Sequence, residues 1–461
     1  MSPSTLSCLA CGSVGRFAEK LRVKGIVEEH RLMICGECGS GMFDPLPTLD
    51  YSTHTASEQS IRDYVELNAA VDLLASGLVR VSKGRPKGRM LDIGCGYGFA
   101  ADALRRLEGW DVVGFEPSTY GSRGAEALGL QIYREYLTED HAVARERFDI
   151  VHLSEVIEHI EQPEAFLRFL SGLLNSNGIL VLSTPDISAL DEDITEAEKM
   201  AVMTPGGHCV LFSRKALDQM MRKLGFENVV IERRGTSHVV YATSGDLHLS
   251  PVEPIRVGIA YVNAVLQDDA VKDENLIAGL RFRLFRYLVD LGDYEEASKH
   301  VASIEEYLIY RGASQNISEF YQSHRVFLAI LFYYHAMYSL NHLGDAETAS
   351  KNFMMSYLLC KQKIRLLPSR AVVHSDIVWR ALFHAALAAE RTGQIEEAEW
   401  LLTRLLRPPS PGMPPVPRAL AARARELQIS LSHKSADEAG GGSLPLRIVR
   451  AVEHALRRTA G

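Results

Sequence analysis

The sequence predicts an α/β protein: a parallel β-sheet with helices on both faces, a small metal-stapled unit ahead of it and an all-helical array behind it. Three observations carry this. Four cysteines near the N-terminus are paired as Cys8-x-x-Cys11 and Cys35-x-x-Cys38. From Arg89 to Tyr241 short apolar runs alternate with helical patterns, the sign of βα units. Beyond Pro251 strand signals vanish and apolar residues recur at helical spacing. With 461 residues the chain is too long for one ordinary domain. The division read from it is 1–48, 49–245, 250–432 and 433–461.

Composition narrows the class. A hydrophobic content of 46% with 23% charged residues belongs to a globular chain. The net charge of −8 argues against a surface that coats nucleic acid. The start, Met1 to Ser7, has no basic region leading into an apolar run, so no secretory signal is read. No apolar stretch has the length of a transmembrane segment, and the expected location is cytoplasmic. In a reducing compartment the four paired cysteines read as metal ligands rather than disulfides.

Residues 1–48 therefore read as a zinc ribbon. Cys8, Cys11, Cys35 and Cys38 offer four thiolates, the closed set of a structural zinc, and Gly12 and Gly39 follow each pair as the turn of a tight knuckle. A unit this small has little core, so the metal would supply its folding energy. Phe43-Asp44-Pro45-Leu46-Pro47 leaves it as an extended linker. Residues 58–81 read as one helix, with Ile61, Val65, Leu67, Val71, Leu74 and Leu78 apolar, expected to lie over a pocket as a cap.

Met90, Leu91 and Ile93 are the apolar run of a first buried strand. Gly94, Gly96 and Gly98 then allow a tight turn into a helix over Ala100–Leu107. Strands follow at 111–115, 131–133, 148–153 and 178–183, separated by helices near 120–128 and 163–174; a helix over 213–224 precedes an antiparallel edge pair around 229–231 and 239–241. A glycine turn feeding a helix is how such a sheet holds a nucleotide-like cofactor at its carboxyl edge. The dinucleotide fingerprint would place its third glycine where Phe99 stands. The spacing is instead G-x-G-x-G, with Asp92 two residues ahead and Glu116 closing the second strand, where an acid can take both hydroxyls of a ribose.

This combination resembles the class I S-adenosylmethionine-dependent methyltransferases. The resemblance implies a Rossmann-like seven-stranded sheet and an enzyme that uses S-adenosylmethionine. It also implies that Asp92, Gly94, Cys95, Gly96 and Gly98, with Glu116 and Leu153 at strand ends, hold the cofactor. The segment Ser154-Glu155-Val156-Ile157-Glu158-His159 follows the fourth strand, where acceptor meets methyl group. Its Glu-x-x-Glu-His pattern is similar to that of the ubiquinone-biosynthesis O-methyltransferases and many sugar methyltransferases. At helical spacing Glu155, Glu158 and His159 can converge on one point. The resemblance allows magnesium there; without a metal, His159 can take a proton itself, and the plain alternative is packing. His152, in mid-strand, reads as a satisfied core histidine. His208, in Gly206-Gly207-His208-Cys209-Val210-Leu211-Phe212-Ser213, is similar to a histidine in the family's H-x-x-x-F-S segment, with substrate-facing and structural readings both open. Tyr51 and His54 in the linker are weaker candidates.

A ribbon followed by Asp-Pro-Leu-Pro and this domain also resembles the deoxysugar C-methyltransferases. The function expected is methyl transfer to a small-molecule acceptor: a sugar, nucleotide sugar or glycan hydroxyl. The alternatives are C-methylation of a nucleotide deoxysugar, or methylation of a protein or RNA partner recognised by ribbon and array. Acidity and the lack of an aromatic-basic surface pattern count against RNA.

Behind the sheet, three phrases recur: Leu291-Gly292-Asp293-Tyr294-Glu295-Glu296-Ala297, Leu343-Gly344-Asp345-Ala346-Glu347-Thr348-Ala349 and Thr392-Gly393-Gln394-Ile395-Glu396-Glu397-Ala398. Each closes one helix and opens another, which resembles the turn of tetratricopeptide repeats and leaves a protein partner on the array open. Pro408-Pro409-Ser410-Pro411 breaks the array and a last helix runs over 418–431. Ala439 to Ser443 reads as a flexible linker. The tail helix stripes Leu446, Val449, Val452 and Leu456 opposite arginines, as a docked helix or one for a membrane surface or acidic partner.

Overall fold

The computed structural model describes residues 6–25, 28–47, 49–53, 56–67, 71–309, 324–367 and 371–437. The linker histidine at 54 and the tail reading beyond 437 lie outside them. The chain divides into two compact units, one of residues 1–61, 69–194 and 198–273, the other of residues 62–68, 195–197 and 274–461.

In the first unit, β1 (Phe17–Lys24), β2 (Glu29–Cys35) and β3 (Gly41–Asp44) form an antiparallel meander. The amides of Gly12 and Gly39 donate to the carbonyls of Cys8 (2.8 Å) and Cys35 (2.9 Å), closing the two knuckles. A fourth strand joins this small sheet from far along the chain. β9 (Val210–Leu211) pairs with β3, Met42 opposite Val210 and Gly41 opposite Leu211. The ribbon is thus closed by the segment that carries His208.

The main sheet has seven strands in the order β10-β11-β8-β7-β4-β5-β6. The parallel strands are β4 (Arg89–Ile93), β5 (Asp111–Phe115), β6 (Ile132–Tyr133), β7 (Phe148–Ser154) and β8 (Leu174–Pro185). β10 (Asn228–Arg234) and β11 (Ser237–Thr243) complete it as an antiparallel pair, β11 against β8. The central strands read as unbroken apolar runs because helices cover both faces: Leu91, Ile150, Val151, Leu153, Leu180 and Leu182 have no exposed surface. Strand order reverses beside β4, so the crevice for a ligand falls at its carboxyl end.

The helix expected over 58–81 is two helices, α1 (Glu58–Leu67) and α2 (Val71–Ser82). α2 contributes no residue to the lining of the cavity described below. α3 (Phe99–Glu108) and α8 (Pro254–Leu266) are tied through Asp102. This fully buried carboxylate pairs with Arg106 (2.8 Å) and accepts the Tyr261 hydroxyl (2.9 Å). α8 packs on α2 and α3, and residues 254–273 group with the sheet rather than with the array, where the sequence placed them.

The described residues of the second unit form helices and the connections between them, with no strand. Its main helices are Glu274–Leu291, Leu328–Tyr338, Ala346–Leu366, Val372–Arg391, Ile395–Leu406 and Arg418–Asp437. Residues 62–68 belong to it: Glu66 is fully buried and accepts from Arg62 (2.9 Å) and from the amide of Val326 (2.7 Å). The repeated phrase has a mechanical meaning. Gly292, Gly344 and Gly393 sit at φ 72°, 68° and 73°, the left-handed conformation that ends a helix. Asp293 and Asp345 then cap the next helix through the amides of Glu296 (3.2 Å) and Thr348 (3.0 Å). Ala297, Ala349 and Ala398 have no exposed surface, so each alanine lets its helix pack close. Leu328–Tyr338 is apolar on all sides and correspondingly buried. Among the described residues no helix is long and apolar enough to cross a membrane.

Candidate functional site

A cavity opens at the carboxyl edge of the parallel sheet. One wall is built from the turn after β4 and the end of β5: Ile93, Gly94, Phe115, Glu116 and Pro117. Gly94 stands at φ 64°, and a Cβ there would lie 2.5 Å from Val156 Cγ2, so the turn closes on the opposite wall only without a side chain. The Glu116 carboxylate accepts the amides of Gly96 (3.1 Å) and Ser118 (2.9 Å). It pins the glycine turn and keeps lone pairs for a ligand, since each oxygen can accept twice.

The other wall comes from the linker and the segment after β7: Tyr51, Glu155, Val156, His159 and Ile160. Glu155 takes φ 55°, uncommon for a residue with a side chain, and leaves the line of the strand. The residue is exposed as a whole, and its carboxylate accepts the Ser183 hydroxyl (3.0 Å). Ile157–His159 then forms a single 3-10 turn. The helical register expected for Glu155, Glu158 and His159 is therefore broken, and only Glu158 and His159 stay together.

His208 takes the third place. Atoms of Glu158, His159 and His208 able to bind a metal lie within 4.8 Å of one another. The amide of Cys209 donates to the carbonyl of Glu158 (2.7 Å), locking the β9 segment to the 3-10 turn. His159 Nδ1 lies 2.9 Å from the Gly207 carbonyl and His208 Nδ1 lies 2.9 Å from the Val202 carbonyl. A carbonyl only accepts, so Nδ1 carries the proton in both rings and each Nε2 keeps a lone pair. The Tyr51 hydroxyl is 3.0 Å from His159 Nδ1 and shares that proton as an acceptor. Glu158 has no exposed surface; its Oε2 accepts the Thr184 hydroxyl (2.9 Å) and its Oε1 has no hydrogen-bond partner among the described residues. Burial, with Glu155 nearby, pushes the Glu158 carboxyl well above the usual range. Burial lowers His159, and burial with the neighbouring His159 takes His208 down to about 3, so both rings are neutral.

The remaining predicted residues divide. Asp92 is buried and its carboxylate accepts from His152 Nδ1 (2.7 Å), which makes His152 the satisfied core histidine expected. The Cys95 side chain packs over Gly114. Gly98 opens α3, and Leu153 sits in the core without lining the cavity. Tyr136 and Glu135 line the cavity without having been read as site residues. They directly follow β6, and the loop after each parallel strand faces the crevice, so the signal was present. Thr184 was missed because a lone buried threonine has no sequence signature.

At the ribbon, Cys8 Sγ is 3.7 Å from Cys38 Sγ and Cys11 Sγ is 3.9 Å from Cys35 Sγ. Zinc–sulfur bonds of about 2.3 Å in a tetrahedron separate sulfurs by about 3.8 Å. The four sulfurs fit one tetrahedral ion. At the cavity the donors are two imidazoles and one carboxylate. Magnesium prefers an all-oxygen shell, so this set gives no support to the magnesium expected there.

Residues 66–231 match the family described as methyltransferase domain. Two relatives described as ubiquinone biosynthesis O-methyltransferase come from Azorhizobium caulinodans (40% identical) and Cereibacter sphaeroides (44% identical). Each is similar over 101 residues, 21% of this chain and 40% of the relative. The chain thus spans well under half the length of these relatives. Among solved structures, a SAM-dependent methyltransferase from Archaeoglobus fulgidus is 16% identical at a TM-score of 0.31, over 39% of this chain and 96% of that one. The plantazolicin methyltransferase in complex with SAH is 10% identical at 0.32, over 40% and 87%.

Proposed function

We propose that the protein transfers a methyl group from S-adenosylmethionine to a hydroxyl oxygen of a small molecule, with a sugar or nucleotide sugar as the acceptor class. The observation that carries this reading is the single cavity that has Gly94 and Glu116 on one wall and Tyr51, Glu155 and His159 on the other. In this reading Glu116 accepts the hydroxyls of the cofactor's ribose, and Gly94 allows close approach of the cofactor. When bound, the cofactor supplies an electrophilic methyl group on a sulfonium. The acceptor hydroxyl is neutral at pH 7 and must lose its proton as it attacks. Without a metal at its Nε2, His159, neutral and with a lone pair there, accepts that proton. What the chain adds is alignment and proton acceptance. Glu135 and Glu155 on the lining offer carboxylate oxygens to a polyhydroxylated acceptor. The ribbon-and-linker resemblance to deoxysugar methyltransferases points the same way. We infer zinc at Cys8, Cys11, Cys35 and Cys38.

The test is incubation with methyl-labelled cofactor and a panel of nucleotide sugars, free glycans and catechols, read by mass spectrometry. Label on a sugar oxygen is the expected result. Label on catechols alone would move the acceptor class to phenols, and label on a sugar carbon would favour C-methylation.

A further inference from the structure

We propose that Glu158, His159 and His208 form a second metal site, for a divalent transition metal such as zinc or cobalt rather than magnesium. The inference concerns metal binding alone and stands apart from the acceptor class. Both histidines spend Nδ1–H on a backbone carbonyl, Gly207 for His159 and Val202 for His208. Their Nε2 atoms lie 4.0 and 3.9 Å from Glu158 Oε1. That oxygen is buried and has no hydrogen-bond partner among the described residues. Three lone-pair groups thus face one point, and none of the three ligand atoms brings a proton to it when Glu158 is ionised. A cation resolves that conflict.

The surroundings have the form that ligating side chains need. Each imidazole is oriented by a carbonyl on its other nitrogen, and Glu158 by Thr184 on its other oxygen. Two imidazoles and a carboxylate select zinc, cobalt, iron or manganese. In a tetrahedron with bonds of about 2.0–2.2 Å the donors would stand about 3.3–3.6 Å apart, so each Nε2 closes in on Glu158 Oε1 by only some tenths of an ångström. Three protein ligands leave a fourth position open, as in catalytic rather than structural zinc sites. Glu155, the ligand the sequence register suggested, stands on Ser183 and takes no part. The competing arrangement is a protonated Glu158 giving its proton to a water that donates to both Nε2 atoms.

The full chain, stripped with chelator, reloaded with zinc and freed of excess, is read by elemental analysis. About two equivalents per chain are expected, falling to about one in both His208→Ala and Glu158→Gln. Retention of the cysteine-held equivalent and an unchanged circular-dichroism spectrum show that each variant is folded. Cobalt(II) added to the wild-type chain gives a measurement free of that concern. It should show a second binding phase with visible ligand-field bands but no sulfur charge-transfer band, and excess magnesium should not displace it. A wild-type chain that takes up one equivalent, a second equivalent that persists in both variants, or ready displacement by magnesium would overturn the proposal.

Discussion

The cysteine cluster and the Glu158–His159–His208 cluster are both convergent ligand sets, but they differ in how the fold makes them. The cysteines come from two knuckles of one small sheet, and their spacing is written in the sequence. The second cluster joins a turn after β7 to a segment that lies almost fifty residues further on and is closed into the ribbon sheet as β9. The first offers four donors, a full tetrahedral set. The second has three and adjoins a cavity through His159. A short-range set can stabilise a unit with little core; a long-range set needs the surrounding fold to hold it in place. The ribbon supplies part of that hold: the Ser213 hydroxyl donates to the Cys38 carbonyl (2.6 Å), and the Phe43 amide donates to the Cys209 carbonyl (3.1 Å).

The largest expected effect follows from breaking the first set. Zinc-dependent folding in small units is worth on the order of 10 kcal/mol, so Cys35→Ser/Cys38→Ser should unfold the ribbon. Hydrogen exchange should then rise over residues 17–44 and also over 208–213, because β9 loses its partner strand. Exchange at 208–213 that stays at the wild-type level would show that the ribbon does not brace the second cluster. Breaking the second set should not travel back. His159→Ala is expected to lower turnover by roughly 10²–10⁴-fold while cofactor affinity and the cysteine-held metal stay as in wild type. Normal turnover on the true acceptor would reduce His159 to packing. The smallest effect belongs to the join. Ser213→Ala removes the bond to Cys38 and the cap on α7 (Arg214–Lys223), whose Ala216 amide donates to the serine hydroxyl (3.1 Å). A loss of about 1–2 kcal/mol in thermal or denaturant unfolding is expected. No loss would mean that neither contact matters.

The same contrast explains what could be read from the chain beforehand. The ribbon ligands, the glycine turn, Glu116 and the alternation of strands with helices are local patterns. The array's caps were visible because glycine and aspartate have fixed jobs at helix ends. The register of Glu155 was not, because the left-handed turn at that residue follows from tertiary packing and overrides helical spacing. His208 was noticed, but not its meeting with Glu158, which depends on a two-residue strand joining a sheet built far upstream. Tyr51 was similarly a weak signal until the linker placed its hydroxyl on His159.

The most direct test of the cofactor placement is calorimetric titration of S-adenosylhomocysteine into the wild-type chain and into Glu116→Ala. One site per wild-type chain is expected, weakened in the variant by roughly 1–3 kcal/mol, or about 5- to 150-fold, for lost charge-assisted hydrogen bonds. A wild-type chain that does not bind, or a variant that binds as tightly as wild type, would contradict the assignment of the glycine turn and Glu116 to the cofactor.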